Sequence, residues 1–521
     1  MPSDSQNNKR IAQNTLLLYF RMLFLMLVSL YTSRVNLNAL GIEDFGIYNV
    51  VGGLVAMFSI ISGSLVSSIS RFITFELGTE NKEKLKKVFS TAVSIQFFLV
   101  IIVVILAETI GLWFLNNKMV IPEERILAAN IIYQFSIISF ALSLMSIPYT
   151  GTIVAHEKMS AFAYISIFDV IGKLAVALTI SIAPIDKLIW FAGFIVFNST
   201  IIQSIYIFYC KRHFEECTYH FIFDKSLLKN MFGFAGWNFI GSIAAILRDQ
   251  GGNIVINMFC GPAVNAARGV AMQVNNAVSG FVSNFQTALN PQITKSYASG
   301  NYDYMMQLIF QGARLSYYIL LILALPIISN THFILQLWLG QVPKHTVLFV
   351  QLVLFFTMSE SLANPLINAM LATGKIKKFQ IIVGGLNLVN LPLSYICLRL
   401  GCIPESVVII AIIISMICEM ARVIMLRNMI HFPARSFLKK VYFNVIFVTI
   451  TASILPLYLH FILEENIYTF TLISVVSFSC TLLSILYIGC SSEERVMVFS
   501  KVKVIVNKVS KRYNLNSATL L

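Results

Sequence analysis

Apolar stretches of roughly 18 to 25 residues recur from one end of this chain to the other, and each is long enough to cross about 30 Å of hydrocarbon as a helix. In lipid every backbone N–H and C=O must find its partner inside the protein, so long continuous apolar runs dictate helices and exclude the alternating ten-residue strands of a barrel. The whole chain follows the pattern: 57% of its 521 residues are hydrophobic, 12% are charged, and the mean hydropathy is +0.78. Little is left from which to build a soluble domain.

A net charge of +14 and a pI near 9.3 would suit nucleic acid, but the basic residues sit in connections and form no face interleaved with aromatics. Their distribution reports orientation instead. Spans begin near residues 14, 47, 87, 127, 160, 188, 229, 264, 305, 346, 378, 406, 438 and 468, about fourteen helices. Even connections carry Lys82, Lys84, Lys86, Lys87, Lys211, Arg212, Lys225, Lys229, Lys375, Lys377, Lys378, Arg435, Lys439 and Lys440, whereas odd ones hold Glu43, Asp44, Glu123, Glu124, Glu464 and Glu465. About 25 Lys/Arg against about five place both termini in the cytoplasm. Arg21 inside the first span and the lack of a small-residue cleavage pattern mark that span as retained. Eight scattered cysteines without a CxxC indicate neither a disulfide framework nor a metal site.

Two pairs of matching segments point to duplication. Leu77-Gly78-Thr79-Glu80-Asn81 before Lys82–Phe89 resembles Ala298-Ser299-Gly300-Asn301-Tyr302 before Asp303–Phe310, and Ala155-His156-Glu157-Lys158-Met159 resembles Ala372-Thr373-Gly374-Lys375-Ile376. Their near-constant spacing implies parallel six-helix repeats about an axis along the membrane normal. The expected organisation is an all-α membrane protein with two pseudo-symmetric six-helix bundles around a central cavity, 1–210 and 229–430, joined by a cytoplasmic linker, 211–228. Helices 13 and 14 (431–490) are an appendix, and 491–521 forms a basic cytoplasmic or interfacial tail, for which a solvated tail without a role is the plain alternative.

No GxSxG, HExxH or phosphate-loop lysine motif is present, so the chain is not expected to be an enzyme or to carry a cofactor or metal. The informative residues are ions inside the spans, since a charge at mid-bilayer costs about 3 kcal/mol or more unless it meets water, a partner or a ligand. Arg21, Arg34, Arg71, Lys173, Arg248 and Arg268 are the candidate substrate-binding cations; Asp169 and Glu360, with Glu108 and Glu419 behind them, are candidate ion-coupling groups. Plain readings stand beside these. Arg34, Arg314 and Arg422 lie close enough to span ends to snorkel, while Arg248 beside Asp249 and Lys173 four residues after Asp169 suit structural ion pairs. Arg21 and Arg71 have no obvious acidic neighbour at helical spacing except Glu76 near Arg71, and Arg268 sits among small and amide residues. Excess guanidinium suits a phosphate-bearing substrate, because its planar fork donates two hydrogen bonds and stays charged when desolvated. Asn14, Asn38, Gln273, Asn275, Asn276, Asn284 and Gln286 suit either a hydrated glycan or interhelical hydrogen bonding.

Leu40-Gly41-Ile42-Glu43-Asp44-Phe45-Gly46-Ile47-Tyr48, Arg71-Phe72, and Asn290-Pro291-Gln292-Ile293-Thr294-Lys295 with Tyr297 and Gly300 resemble the multidrug/oligosaccharidyl-lipid/polysaccharide exporter superfamily, and within it the Wzx-type polysaccharide flippases. That resemblance implies a V-shaped pair of bundles in a bacterial inner membrane, holding undecaprenyl-diphosphate-linked oligosaccharide for O-antigen, capsule or exopolysaccharide assembly. The sugar head would be handed to polysaccharide polymerase machinery. The related lipid II flippases use cavity arginines in helices 1, 2 and 8, which corresponds here to Arg21 or Arg34, Arg71 and Arg268. Three alternatives stay open: a drug/cation antiporter of the same fold, a lipid II flippase, and a membrane-embedded glycosyltransferase or polymerase, for which the outer loops here are short.

Overall fold

The computed structural model describes residues 4–496, apart from 57–58, 119–120, 221–223, 341 and 492–493; most of the expected basic tail lies outside the described residues. Helix α1 (Asp4–Ala56) is broken at Gly41, whose φ of 83° and ψ of 170° favour glycine. It is followed by α2 (Ser59–Gly78) and α3 (Lys82–Leu106), which passes through a π turn at Ala107–Gly111 into α4 (Leu112–Lys118). Then come α5 (Ile126–Ala155), α6 (Met159–Thr179), α7 (Lys187–His213) and α8 (Lys225–Ala298). The second half contains α9 (Tyr302–Ser329), α10 (Thr331–Leu339), α11 (Thr346–Thr373), α12 (Lys377–Arg399) and α13 (Ser406–Ile430). After α14 (Ala434–Phe437), helices α15 (Asn444–Ile462) and α16 (Ile467–Ser484) close the described chain, which contains no strand.

Twelve helices in the described chain are long and apolar enough to span a membrane by themselves, two fewer than expected. The two missing spans are those beginning near 47 and 264. Both are helical, but α2 holds six serines and the second arm of α8 holds seven amides between Gln273 and Gln292. These segments pack on each other and on the opposite half, so lipid is not what they mainly meet and hydropathy understates them.

Contacts fix the topology where the helix assignment does not. Arg268 donates to the Asp249 carbonyl at 3.3 Å, yet 19 residues of straight helix would separate them by about 28 Å, so α8 turns back on itself between them. Arg10 bonds to the His156 carbonyl, a methyl at Gly78 would lie 2.7 Å from Ala298 Cβ, and Lys295 meets Glu157. These connections therefore share one face of the molecule, the face of the basic loops. The far face gathers Asp44, Arg125 and Asp186 in the first half and His345 with Glu405 in the second.

The duplication is visible in the turns. Asn81 and Asn301 cap α3 and α9 by accepting from the amides of Lys84 and Tyr304, and the residues before them, Glu80 and Gly300, have positive φ. Glu157 and Gly374, ending the turns after α5 and α11, are likewise left-handed, and Pro148 and Pro365 occupy the same place in those helices. Buried apolar residues form two clusters in the first half, one around Phe89, Tyr149 and Ile153 and one around Ile132, Tyr133 and Phe191. A single large cluster runs through the second half and on into α15. Helices α15 and α16 lean on α9, with the Tyr317 hydroxyl 2.9 Å from Thr449 Oγ1 and the Tyr318 hydroxyl donating to Asn444.

Candidate functional site

Three polar regions cross the interior. The first is a cavity of about 430 Å³ between the halves, walled by Ser70, Arg71 and Thr74 of α2, Thr150 of α5, Phe162 of α6, Thr287, Asn290 and Thr294 of α8, and Asn368 of α11. Arg71 closes one side of it. Its guanidinium sits among Phe72, Phe75 and Phe234 and donates from Nε to the Leu371 carbonyl at 3.2 Å and from Nη2 to the Ala372 carbonyl at 2.9 Å. The last turn of a helix leaves its carbonyls unpaired and carries partial negative charge, so Arg71 caps α11 from the opposite half.

Beside that cap, Glu157 forms the principal ionic link across the seam. Its almost fully buried carboxylate accepts from Lys295 Nζ at 2.7 Å and Gln292 Nε2 at 2.5 Å, both from the second half, and lies 3.1 Å from Arg10 Nε. Arg10 Nη2 and Asn14 Nδ2 hold the carbonyls of His156 and Glu157. The hydrogen bonds and ion pairs that join the halves at Ser68, Arg71, Glu157 and Asn284 lie from the mid-depth of the molecule toward this basic face. The molecule is thus sealed at the basic face. Next to the seal a cavity of about 510 Å³ opens on the same face, where His156 stacks on Phe214 at 4.2 Å and meets Glu216 Oε1 at 2.5 Å. Burial alone would raise the Glu216 carboxyl, but the hydrogen bond from His156 and the nearby charges hold it below its ordinary value.

The second region lies inside the first half, enclosed by α1, α5, α6 and α7. This cavity of about 300 Å³ contains Arg21, Asp169 and Lys173 among five serines. Lys173 Nζ reaches Asp169 Oδ2 at 2.7 Å, and Asn198 donates to Oδ1 at 2.8 Å, so this pair is internally satisfied. Arg21 lies over the Phe162 ring at 4.5 Å and has neither hydrogen bond nor ion pair with a described residue.

The third is the interior of the second half. Arg248 pairs with Asp249 at 2.9 Å, donates to Asn387 Oδ1 at 3.3 Å and covers the Phe356 ring. Arg268 is buried against Gly252. Glu360 accepts from Ser415, and Glu419 accepts from the Tyr442 hydroxyl at 2.5 Å, with buried Arg422 nearby. Among the described residues no three His, Cys, Asp or Glu side chains are placed to hold a metal.

The structure thus distributes five of the six candidate cations over three regions. Arg71 stands at the seam, Arg21 and Lys173 stand in the first half, and Arg248 and Arg268 stand in the second; Arg34 belongs to α1, but its side chain lies outside the described residues. Asp169 and Glu360 fall in different halves. Sequence reasoning missed the clasp of Glu157, Gln292 and Lys295, although all three lie in segments singled out for other reasons: the repeated turn after α5 and the string Asn290 to Lys295. An acid in one repeat where the other has glycine was the available signal. The serine lining of the first-half cavity carried none, because serine also packs transmembrane helices.

A family model described as polysaccharide biosynthesis protein matches residues 11–297, and one described as MatE matches residues 242–396. Among solved structures, the fold is similar to a Vibrio cholerae MATE transporter in its bent form, with a TM-score of 0.69 and 15% identity over 84% of this chain and 99% of that one. It is also similar to an outward-facing multidrug resistance MATE family transporter, with a TM-score of 0.67 and 12% identity over 80% of this chain and 94% of the other. A MATE in the bent conformation aligns with a TM-score of 0.70 at 12% identity, covering 83% and 96%. No protein of curated function matches the chain in sequence.

Proposed function

The chain belongs to the polysaccharide biosynthesis protein family, within the multidrug/oligosaccharidyl-lipid/polysaccharide exporter superfamily of membrane transporters, and we propose that its cargo is a diphosphate-linked oligosaccharide on an undecaprenyl chain. One observation carries this reading. Arg21 and Arg71 face interior cavities without a carboxylate in ion-pair distance among the described residues, an arrangement that stabilises an anion and repels a cation.

The protein takes up its cargo from the cytoplasmic leaflet of a bacterial inner membrane, with the basic face inward. When the seam parts at Glu157 and Lys295, Arg71 leaves the carbonyls of α11 and is free to hold the diphosphate; when the seam closes, those carbonyls reclaim it and the cargo is released outward. The lipid tail stays in the bilayer and the exported head passes to polymerase machinery. Of the two ion-coupling candidates, Glu360 is the better placed, since Asp169 is already engaged by Lys173 and Asn198.

A drug/cation antiporter is the second reading, supported by the MatE match and by the carboxylates of Glu360 and Glu419 inside the second half. Deleting the gene separates the two. Loss of surface polysaccharide with diphosphate-linked oligosaccharide accumulating inside supports the flippase, and complementation by a triple R21Q/R71Q/R268Q variant at normal protein level should fail. Intact glycan with heightened sensitivity to cationic drugs establishes the antiporter.

A further inference from the structure

The cavity inside the first half is separate from the seam but touches it, because Thr150 lines both. It lies near mid-depth: Arg21 is 11 residues along α1 from Arg10 at the basic-face clasp, about 16 Å of helix in a hydrocarbon layer of about 30 Å. Its hydrogen-bonding character is unusual. Ser146 donates to the Ser143 carbonyl at 2.6 Å, Thr150 to Ile147 at 3.0 Å, Ser166 to Phe162 at 2.7 Å and Ser199 to Ile195 at 2.9 Å. With their protons engaged by their own helices, these hydroxyls present lone pairs to the cavity. Gln203, 7% exposed, adds an Oε1 that is buried without a partner. Beside the Tyr206 hydroxyl, the Lys173 ammonium, the Ser139 hydroxyl and the Gln203 amide, which are donors of the same lining, these acceptors favour an occupant that supplies protons.

It must also supply negative charge. Lys173 and Asp169 cancel, which leaves Arg21 as the uncompensated ion. A halide satisfies Arg21 but gives nothing to these acceptors, and inorganic phosphate gives them only one or two protons. A cationic ligand satisfies the acceptors but meets the guanidinium. A polyol carrying one carboxylate satisfies both. We infer that this cavity is a subsite for a single acidic sugar residue, its carboxylate on the Arg21 fork and its hydroxyls donating to Ser166, Ser199 and Gln203. The inference rests on the flippase reading and names a component of its cargo, a glycan containing a uronic-acid-type sugar.

The test is calorimetric titration of the full-length protein in nanodiscs with methyl β-glucuronide, methyl β-glucoside and potassium chloride as probes. The glucuronide should bind about 10-fold tighter than the glucoside, the gain expected of one charge-assisted bidentate contact. R21Q should bring that ratio close to one while keeping the melting temperature, R21K should retain part of it, and the pair S166A/S199A should weaken both glycosides alike. Equal binding of the two glycosides, chloride displacing the glucuronide at comparable concentration, or no glycoside binding at all each overturns the inference. Translocation of a diphosphate-linked lipid in proteoliposomes is scored in parallel. Transport without sugar selectivity defeats this subsite alone, whereas glucuronide binding without transport defeats the flippase reading alone.

Discussion

The same order of helices and the same turns appear twice in this molecule, yet the first half leaves a polar cavity between two apolar clusters while the second packs one continuous cluster around its ions. In α9, α11 and α13 between 50% and 61% of the most apolar stretch is buried, against 22% to 28% in α3, α5, α6 and α7, while α12 at 33% and the first arm of α8 at 22% are closer to the first half. Part of the difference is the appendix, since α15 and α16 cover α9 and have no counterpart on the first half. Part is the placement of charge. In the second half Arg248 meets Asp249, and the carboxylates of Glu360 and Glu419 accept from Ser415 and Tyr442, although buried Arg268 and Arg422, like Arg21 in the first half, have no ion pair among the described residues. Duplication gave two scaffolds of one shape that differ in how continuously their cores are packed.

The contrast can be broken most directly in the second half. Glu419→Ala removes the acceptor of Tyr442 and a carboxylate that acts electrostatically on buried Arg422, so unfolding of the purified protein should become easier by about 3–5 kcal/mol, as for other buried charges left without a partner. No change would mean that packing alone holds this half. At the seam, Lys295→Met leaves Glu157 with Arg10 and Gln292 only; a loss of about 2–3 kcal/mol is expected, with faster thiol labelling of a cysteine placed at Asn368 as the basic face loosens. Gly374→Ala should cost about 1 kcal/mol, because φ is +73° there and the added methyl would lie 2.7 Å from Arg71 Nη2. The same thiol assay should report a smaller opening.

For the first half the expected effect on stability is slight. Arg21→Leu removes a half-buried charge that has no ion pair among the described residues, so stability should hold within about 1 kcal/mol or rise, while surface glycan falls sharply. A large destabilisation would show that Arg21 is structural and remove the contrast between the halves. The smallest effect belongs to the far face. Burial would raise the Asp186 carboxyl, but Arg125 and the amides of Leu188 and Ile189 hold it below its ordinary value. Its contribution is therefore present at neutral pH and is lost as pH falls through that lowered value; Arg125→Gln should flatten the melting profile between neutral and strongly acid pH.

Much of the architecture was legible because lipid imposes it. Apolar runs suggested about fourteen spans, and twelve helices of the described chain are long and apolar enough to cross by themselves; the segments near 47 and 264 are helical but rich in serine or amide. The repeat was legible at its turns, since a capping asparagine and a left-handed residue are local requirements that leave a mark in sequence. The site was legible only as a set of residue types. Arg21, Arg71 and Arg268 all stood out as charges within spans, but nothing in their spacing separated an arginine that caps another helix from one that lines a cavity.

What the sequence determined by itself is the class of fold, the order of its apolar helices, and the surplus of cations over anions in the interior, because each follows from the price of placing polar groups in hydrocarbon. What only the tertiary structure decided is which charge meets which. Lys173 is answered by Asp169 four residues away, a match any helix makes possible, but Arg71 is answered by carbonyls 300 and 301 residues away and Glu157 by a lysine 138 residues away. Those pairings exist because two bundles meet along a seam whose register is set by the packing of α2, α8 and α11, a condition spread over many side chains and written in no single segment.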